Sequence, residues 1–427
     1  MKIYQLLLIL ALFLGGCAGV QNNKIPSSLK AVEIKDNGDF EVLRAYDLLN
    51  NNDEALALNS FYELFKKNKS KLAAKEAFRL AFILKDERID ELAAFAKKNL
   101  SKDNEVLRLI IGYEMGKNRL GVAKKLAKSL SQKEAQNPAN HSILGTIYAL
   151  EGNNALARHS LQKAYSIEPS EINLLKLMDL LENSLNKRSE AVKFAADWVN
   201  KNGCSKQVCL ILLGFYAQEQ KIDLMVEIYT KLYDKFGGEN FLKDALALYL
   251  YKKDLNGAKN LLEKYPFDKA ILMDIYAQLG DFDGAFLTAK AVYEQSKDPQ
   301  FLAKMAIYKY EKNGKITSEF ELAQIVALFE EATKKIQDPI IFNYYGYLLI
   351  DHEIDVKKGL DLCLKAYGLN PDANFIVDSV AWGYYKLGAC KQASEWMDKV
   401  SNDKEFISSD EAREHLDAIN KCLIEKK

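Results

Sequence analysis

The sequence predicts an all-α solenoid, and three observations carry that prediction. Apolar residues recur at spacings of three and four, in blocks of about 10 to 15 residues broken by Gly, Asn and Asp, and no segment beyond the N-terminal run alternates convincingly at period two. Only 7 prolines stand against 48% hydrophobic residues, a balance suited to long helices rather than to loops or disorder. The block around His141 also returns along the chain at about 34 residues, the period of architectures whose single units cannot bury their apolar faces and must stack.

Taken in order, the chain opens with Lys2 and an apolar run, Ile3 to Phe13, followed by Leu14-Gly15-Gly16-Cys17. A positive residue, about ten apolar residues and small residues before a cleavage point fit a secretory signal. The run is shorter than the roughly 20 residues a spanning helix needs. The stretch Leu14 to Cys17 resembles the lipobox of bacterial lipoproteins. That resemblance implies a signal peptide over 1–16, a diacylglycerol on the Cys17 sulfur and an acylated amine after cleavage, hence a lipidated, palmitate-bearing anchor. The alternatives are an ordinary signal with a chance cysteine, or an uncleaved apolar N-terminus. Each buried methylene adds about 0.8 kcal/mol, so several acyl chains on one residue hold where a single one barely does. In that family an Asp after the cysteine tends to retain the protein in the inner membrane; Ala18 and Gly19 stand here, which points to the outer membrane. Residues 17–39 are polar, with Asn22, Asn23, Pro26, Ser27, Ser28 and Gly38, and read as the lipidated residue and a flexible tether.

Cleavage would leave 411 residues (427 − 16), too many for one ordinary core but natural for several domains or one long array. Lys plus Arg and Asp plus Glu are both 59, and loss of Lys2 gives a mature charge of about −1. Such a chain has no basic field to gather nucleic acid, which is excluded as a partner.

The array is assigned to 40–403. Its clearest block, His141 to Pro169, places Leu144, Gly145, Tyr148, Gly152, Ala157, Leu161, Ala164 and Pro169 at the spacings of the tetratricopeptide repeat, a family this block resembles. Gly145 and Ala157 are read as small because the two antiparallel helices cross there. Leu144, Tyr148, Leu161 and Ala164 fill the seam, Gly152 lets the chain reverse, and Pro169 closes the second helix. Further copies fit at Tyr216, Met225, Tyr229 and Leu232, at Tyr276, Gly280, Ala285 and Val292, and at Ala381, Tyr384, Gly388, Ala393, Met397 and Val400. Gly346, Ala366 and Pro371 fit with one extra residue in the turn around Asp351 to Val356. Weaker copies lie around Tyr249 and Ala258, Tyr113 and Ala123, Ala191 and Trp198, and in Glu41 to Lys66 and Leu72 to Leu100; one between Tyr310 and Ala332 is stretched by an insertion. About ten or eleven helix pairs result, and stacking them gives a right-handed superhelix. Over 404–427, Phe406, Leu416, Ile419 and Leu423 share one helical face, a capping helix for the last pair.

No catalytic signature stands out. "GYEMGK", Gly112 to Lys117, is one residue short of a phosphate loop and lacks its Ser or Thr. "DHEID", Asp351 to Asp355, begins like a calcium loop, but Val356 and Leu362 stand where the turn glycine and the bidentate Glu are required. His141, His159, His352 and His415 are isolated in sequence, and no hydrolase or zinc-protease motif occurs. The reading is therefore non-enzymatic, with no metal, no cofactor and no evident small-molecule substrate. Of the cysteines, Cys204 with Cys209 and Cys390 with Cys422 are candidate disulfides, the second stapling the capping helix, while Cys363 occupies a buried seam position.

Tetratricopeptide arrays receive a partner peptide or helix on a concave groove lined by the first helices of successive pairs. Counting from the seam puts Asn343, Tyr347, Asp378, Trp382 and Tyr385 on that face, a polar and aromatic set suited to anchoring a partner. The alternative is that Trp382 and Tyr385 pack between adjacent repeats. Members of the family that clamp a carboxylate use Lys and Asn, where the clearest repeat here has Ser142 and Thr146. The expected function is a lipid-anchored periplasmic scaffold joining proteins of an envelope assembly such as a secretion, pilus, flagellar or wall-building machine. The alternatives are an activator or enzyme acting on peptidoglycan, or a periplasmic chaperone-like binding protein.

Overall fold

The computed structural model of the chain describes residues 39–313 and 317–425. The signal peptide, the Leu14–Cys17 stretch and the tether as far as residue 38 lie outside the described residues. Asp39, placed at the end of the tether, instead begins the first helix.

All regular structure among the described residues is helical, and the chain divides after Gly237 into two compact units. The first contains six antiparallel pairs: α1 (Asp39–Asn50) with α2 (Glu54–Asn68), α3 (Lys71–Leu84) with α4 (Ile89–Asn99), α5 (Asn104–Gly116) with α6 (Leu120–Lys133), α7 (Pro138–Leu150) with α8 (Asn154–Ile167), α9 (Glu171–Asp179) with α10 (Arg188–Asn202), and α11 (Lys206–Gln218) with α12 (Ile222–Phe236). The second contains five: α13 (Glu239–Tyr251) with α14 (Leu255–Lys264), α15 (Lys269–Gln278) with α16 (Phe282–Ser296), α17 (Pro299–Asn313) with α18 (Glu319–Thr333), α19 (Pro339–Asp351) with α20 (Val356–Leu369), and α21 (Asn374–Lys386) with α22 (Cys390–Met397). It closes with α23 (Lys404–Ile407) and α24 (Asp410–Glu425). This is the all-α solenoid of repeated helix pairs that the sequence predicts. The expected single capping helix is two helices, because Ser408 and Ser409 interrupt it.

The pairs form because each reversal is built alike. Asn118, Gly152, Asn186 and Gln220 have positive φ and stand 34 residues apart (118, 152, 186, 220). In the α7–α8 turn the Asn153 N–H bonds the Tyr148 carbonyl at 2.8 Å, and the Asn153 side chain then caps α8 by accepting from Leu156 N. The same six-residue closure joins Asp281 to Tyr276, Asp254 to Tyr249 and Ala389 to Tyr384, satisfying carbonyls that a helix end leaves without partners. The extra residue read in the α19–α20 turn is present as Glu353-Ile354-Asp355, with Glu353 at φ 51° and Asp355 capping α20 through Lys358 N; this is the solvated "DHEID" turn.

Within a pair, small residues set the approach. A Cβ on Gly145 would lie 2.7 Å from Leu161 Cγ and 3.1 Å from Leu161 N, so the tightest contact is to Leu161, one turn beyond the buried Ala157. In α19–α20 two glycines meet backbone to backbone: a Cβ on Gly346 would lie 2.6 Å from the Gly359 carbonyl, and the reverse holds at the same distance. Phe329 and Tyr345 stack at 5.1 Å beside this crossing, and the Cys363 thiol lies buried against the Asn343 carbonyl, its pKa pushed up by burial. In the first unit Phe61, Phe65 and Phe78 fill the N-terminal core.

Two features depart from the simple repeat. The first helix of the fifth pair ends in a π turn, Leu180–Ser184, which the sequence period did not reveal. The insertion after α17 leads into α18 through a capping box, in which Ser318 Oγ accepts from Glu321 N and the Glu321 carboxylate accepts from Ser318 N. Polar ties reinforce the seams between pairs. Glu134, after α6, accepts from Asn104 Nδ2 and Arg108 Nη1, both at 2.7 Å, and from Asn140 Nδ2 at 3.1 Å, which holds its carboxyl at about 2.

Gly346→Ala should destabilise the second unit by about 1–3 kcal/mol through overpacking. Gly368→Ala, in the same pair but with open space around it, should be neutral or stabilising by about 0.5–1 kcal/mol; paired denaturation curves measure both. Because the Glu134 pKa is depressed, its contribution is present above the ordinary carboxylate range and is lost as pH falls from about 4.5 toward 2. Glu134→Gln should therefore flatten the acid limb of urea midpoint against pH in that window.

Candidate functional site

The second unit holds a cavity of about 320 Å³ between α17, α19, α21 and the C-terminal helices. Three of the five residues assigned to the groove line it, Asn343 and Tyr347 from α19 and Asp378 from α21. Their shared face follows from the helical period, since 343 and 347 are one turn apart. Trp382 and Tyr385 do not line it. Trp382 is only 7% exposed and is stacked between Tyr385, at 4.7 Å, and His415, at 4.0 Å. The expected open surface at this position is instead covered by α24, because an apolar stripe left at the end of an array is costly unless something packs on it.

His415 is the residue that sequence reading missed. It stands alone in the sequence, yet it is buried and its Nδ1 lies 2.9 Å from Asp378 Oδ2, across 37 positions. Tyr347 adds a second tie to the same helix, donating its hydroxyl to Glu411, with His415 Nε2 at 3.5 Å. Burial, the Glu411 bond and the nearby Asp351 and Asp378 carboxylates raise the Tyr347 phenol above its ordinary value. Tyr344 donates to Glu311 and is raised in the same way by burial and that bond. Cys390 and Cys422 form a disulfide with Cα atoms 5.7 Å apart, joining the start of α22 to the last turn of α24. The buried face of α24 runs through Ala412, His415 and Ile419, with Leu416 and Phe406 half-buried beside it.

Tyr310, Phe375, Ser379 and Ser409 are among the other residues that line it, with Glu311, Tyr344 and Glu411. Tyr310 places its hydroxyl 2.9 Å from His352 Nε2. Two residues that line the cavity each carry a buried atom without a hydrogen-bond partner among the described residues, Asn343 Oδ1 and Asp378 Oδ1; Trp382 Nε1 is a third such atom. Their state could not have been found by counting, because the burial comes from a helix distant in sequence. What the arrangement offers chemically is acceptors and aromatic faces.

The first unit holds the other sequence-assigned positions. Ser142 and Thr146 are buried; Thr146 Oγ1 donates to the Ser142 carbonyl, and Lys176 from α9 donates to Ser142 Oγ at 2.9 Å. Burial pushes the Lys176 amine down to about 8. The structure thus brings a lysine beside the serine that the repeat alone did not place there. Cys204 and Cys209 are disulfide-bonded, the first in the loop after Gly203 and the second in the first turns of α11, with Cα atoms 5.8 Å apart. Among the described residues no group of His, Cys, Asp and Glu could hold a metal ion.

The chain matches no protein-family model and no curated protein. Among solved structures it is similar to the pilF protein of Pseudomonas aeruginosa, at 15% identity over 49% of this chain and 96% of that one, with a TM-score of 0.38. It is also similar to a thermophilic TPR protein of Thermus thermophilus, at 18% identity over 41% and 96% of the two chains, TM-score 0.34. A third is a chain of the APC/C hetero-tetramer Cut9–Hcn1, at 10% identity over 91% and 94%, TM-score 0.34.

Cys422→Ser should loosen α24 and leave the first unit alone. Amide exchange across Asp410–Glu425 should rise and Trp382 emission shift to the red as its stack opens, with protection in residues 39–237 unchanged.

Proposed function

We propose that the protein is a non-catalytic, lipid-anchored scaffold that holds partner proteins of a bacterial envelope assembly at the periplasmic face of the outer membrane. The observation that carries this reading is Leu14-Gly15-Gly16-Cys17 placed directly after an apolar run too short to span a bilayer. It supplies an anchor for a chain that among its described residues has no helix long and apolar enough to cross a membrane.

Two further features support it. The disulfides Cys204–Cys209 and Cys390–Cys422 suit an oxidising compartment outside the cytoplasm. Stacked helix pairs give long faces of side chains and few enclosed pockets, which favours gripping a protein over turning over a substrate. The cavity under α24 has three carboxylates but no paired nucleophile and base, the arrangement acyl transfer would need. Sites for a secretion, pilus, flagellar or wall-building partner are all compatible with such a scaffold, and the choice among them belongs to the partner's chemistry.

Metabolic labelling with radioactive palmitate should mark the wild-type chain in bacterial cells and not Cys17→Ser, and the variant should leave the membrane fraction for the soluble periplasm. Equal labelling of both, or membrane attachment that survives the substitution, would overturn the anchoring. Crosslinking in intact cells should then recover envelope proteins with the wild type; recovery of none, together with cleavage of wall fragments by the purified chain, would overturn the scaffold.

A further inference from the structure

The cavity beneath α24 selects for one kind of guest. Its walls carry the carboxylates Glu311, Asp378 and Glu411 and neither lysine nor arginine. Glu311 and Glu411 are held by the phenols of Tyr344 and Tyr347, and by no cation among the described residues. Asp378 Oδ2 accepts from His415 Nδ1, and its other oxygen is buried without a partner among the described residues. Asn343 Oδ1 is in the same state; the two residues, Asn343 and Asp378, are 8% and 5% exposed.

A buried acceptor without a donor costs roughly 1–3 kcal/mol, so two such acceptors on residues that line one cavity point to a donor that arrives from outside. The phenols and the Ser379 hydroxyl on the walls are engaged elsewhere: Tyr310 with His352, Tyr344 with Glu311, Tyr347 with Glu411, and Ser379 with the Phe375 carbonyl at 2.9 Å, while Ser409 Oγ is turned to the start of α24, where it accepts from Ala412 N. The walls between the acceptors are aromatic, from Tyr310, Tyr344, Tyr347, Phe375 and Phe406. Acceptors with negative charge between ring faces suit a cation that donates in several directions and stacks on its flat sides.

We infer that this cavity binds a guanidinium group. A guanidinium has five donors in a plane, stacks on aromatic faces and is more weakly hydrated than an ammonium, so it loses less on entering a half-enclosed site. The volume of about 320 Å³ is at the small end of ligand clefts, which run from roughly 300 Å³ upward; it admits one side chain or one small molecule and no folded segment. An arginine projecting from a partner polypeptide and a free arginine-like metabolite share this chemistry. The polypeptide source deepens, and rests on, the scaffold reading, since it would give the partner a fixed point of attachment at the C-terminal end of the second unit.

Calorimetric titration of the full chain tests it with four probes: a capped Gly-Arg-Gly peptide, its citrulline and lysine counterparts, and free L-arginine. The arginine peptide should bind about tenfold or more tightly than the citrulline peptide, which has nearly the same shape and no charge. It should also exceed the lysine peptide. Glu311→Gln should weaken arginine-peptide binding by about tenfold and leave citrulline binding unchanged; it lies on α17 and leaves every tie to α24 in place, so lost binding there is not lost folding. Glu411→Gln should act in the same direction. Tighter binding of the peptide than of free arginine supports the polypeptide source, and the reverse supports a metabolite while overturning that source. Equal affinity for the arginine and citrulline peptides, no binding by any probe, or full affinity in both glutamine variants overturns the inference. Palmitate uptake through Cys17 is read separately, so failure of either proposal is told apart from failure of the other.

Discussion

A single backbone conformation, repeated, carries both units. Every pair whose turn is fully described reverses on one residue with positive φ, from Asn52 and Lys85 through Gly152 to Gly388. Only left-handed backbone at that point lets the next N–H reach back to the carbonyl near the end of the first helix, and that bond fixes the angle at which the second helix returns. Gly152, Gly280 and Gly388 adopt it freely; Lys85, Gln220, Lys253 and Glu353 do so at a cost of roughly 1–2 kcal/mol each. The stacking of neighbouring pairs offsets that cost, which is why the turn keeps its shape while its residue type varies from pair to pair.

This variation explains what could be read in advance. The helix pairs, the buried alanines and the tight glycine positions follow from local rules of period and size, so the α7–α8 pair and the α21–α22 pair stand out in the sequence. The extra turn residue before α20 was also legible, since Gly346 and Ala366 kept their roles on either side of it. The π turn at Leu180–Ser184 was not, because one added residue inside a helix leaves the apolar period nearly intact on both sides.

The site was legible only in its first-helix half. Asn343, Tyr347 and Asp378 fall on one face by counting from the seam, and the cavity contains them. The other half depends on where the C-terminal helix comes to rest, and a helix docking over an end has no periodic signature. His415 gave no hint of its place beside Asp378, and Trp382, a natural anchor for a partner, spends its rings on His415 and Tyr385 instead. Asp378 shows the resulting division most clearly, with one oxygen committed to the fold and the other buried without a partner among the described residues.

The Cys390–Cys422 bond gives the second unit an end that cannot peel. Stacked arrays come apart from their outermost pair inward, because that pair has only one neighbour. Here the outermost helix is tied covalently to α22. The first unit begins at α1 with Phe40 and Leu43 facing solvent, and α1 is held by packing and by a long ion pair, Glu41 to Lys67 at 3.9 Å, with no covalent tie. Fraying that starts at α1 therefore meets no covalent stop among the described residues, whereas fraying that starts at α24 is checked at α22 for as long as the disulfide lasts.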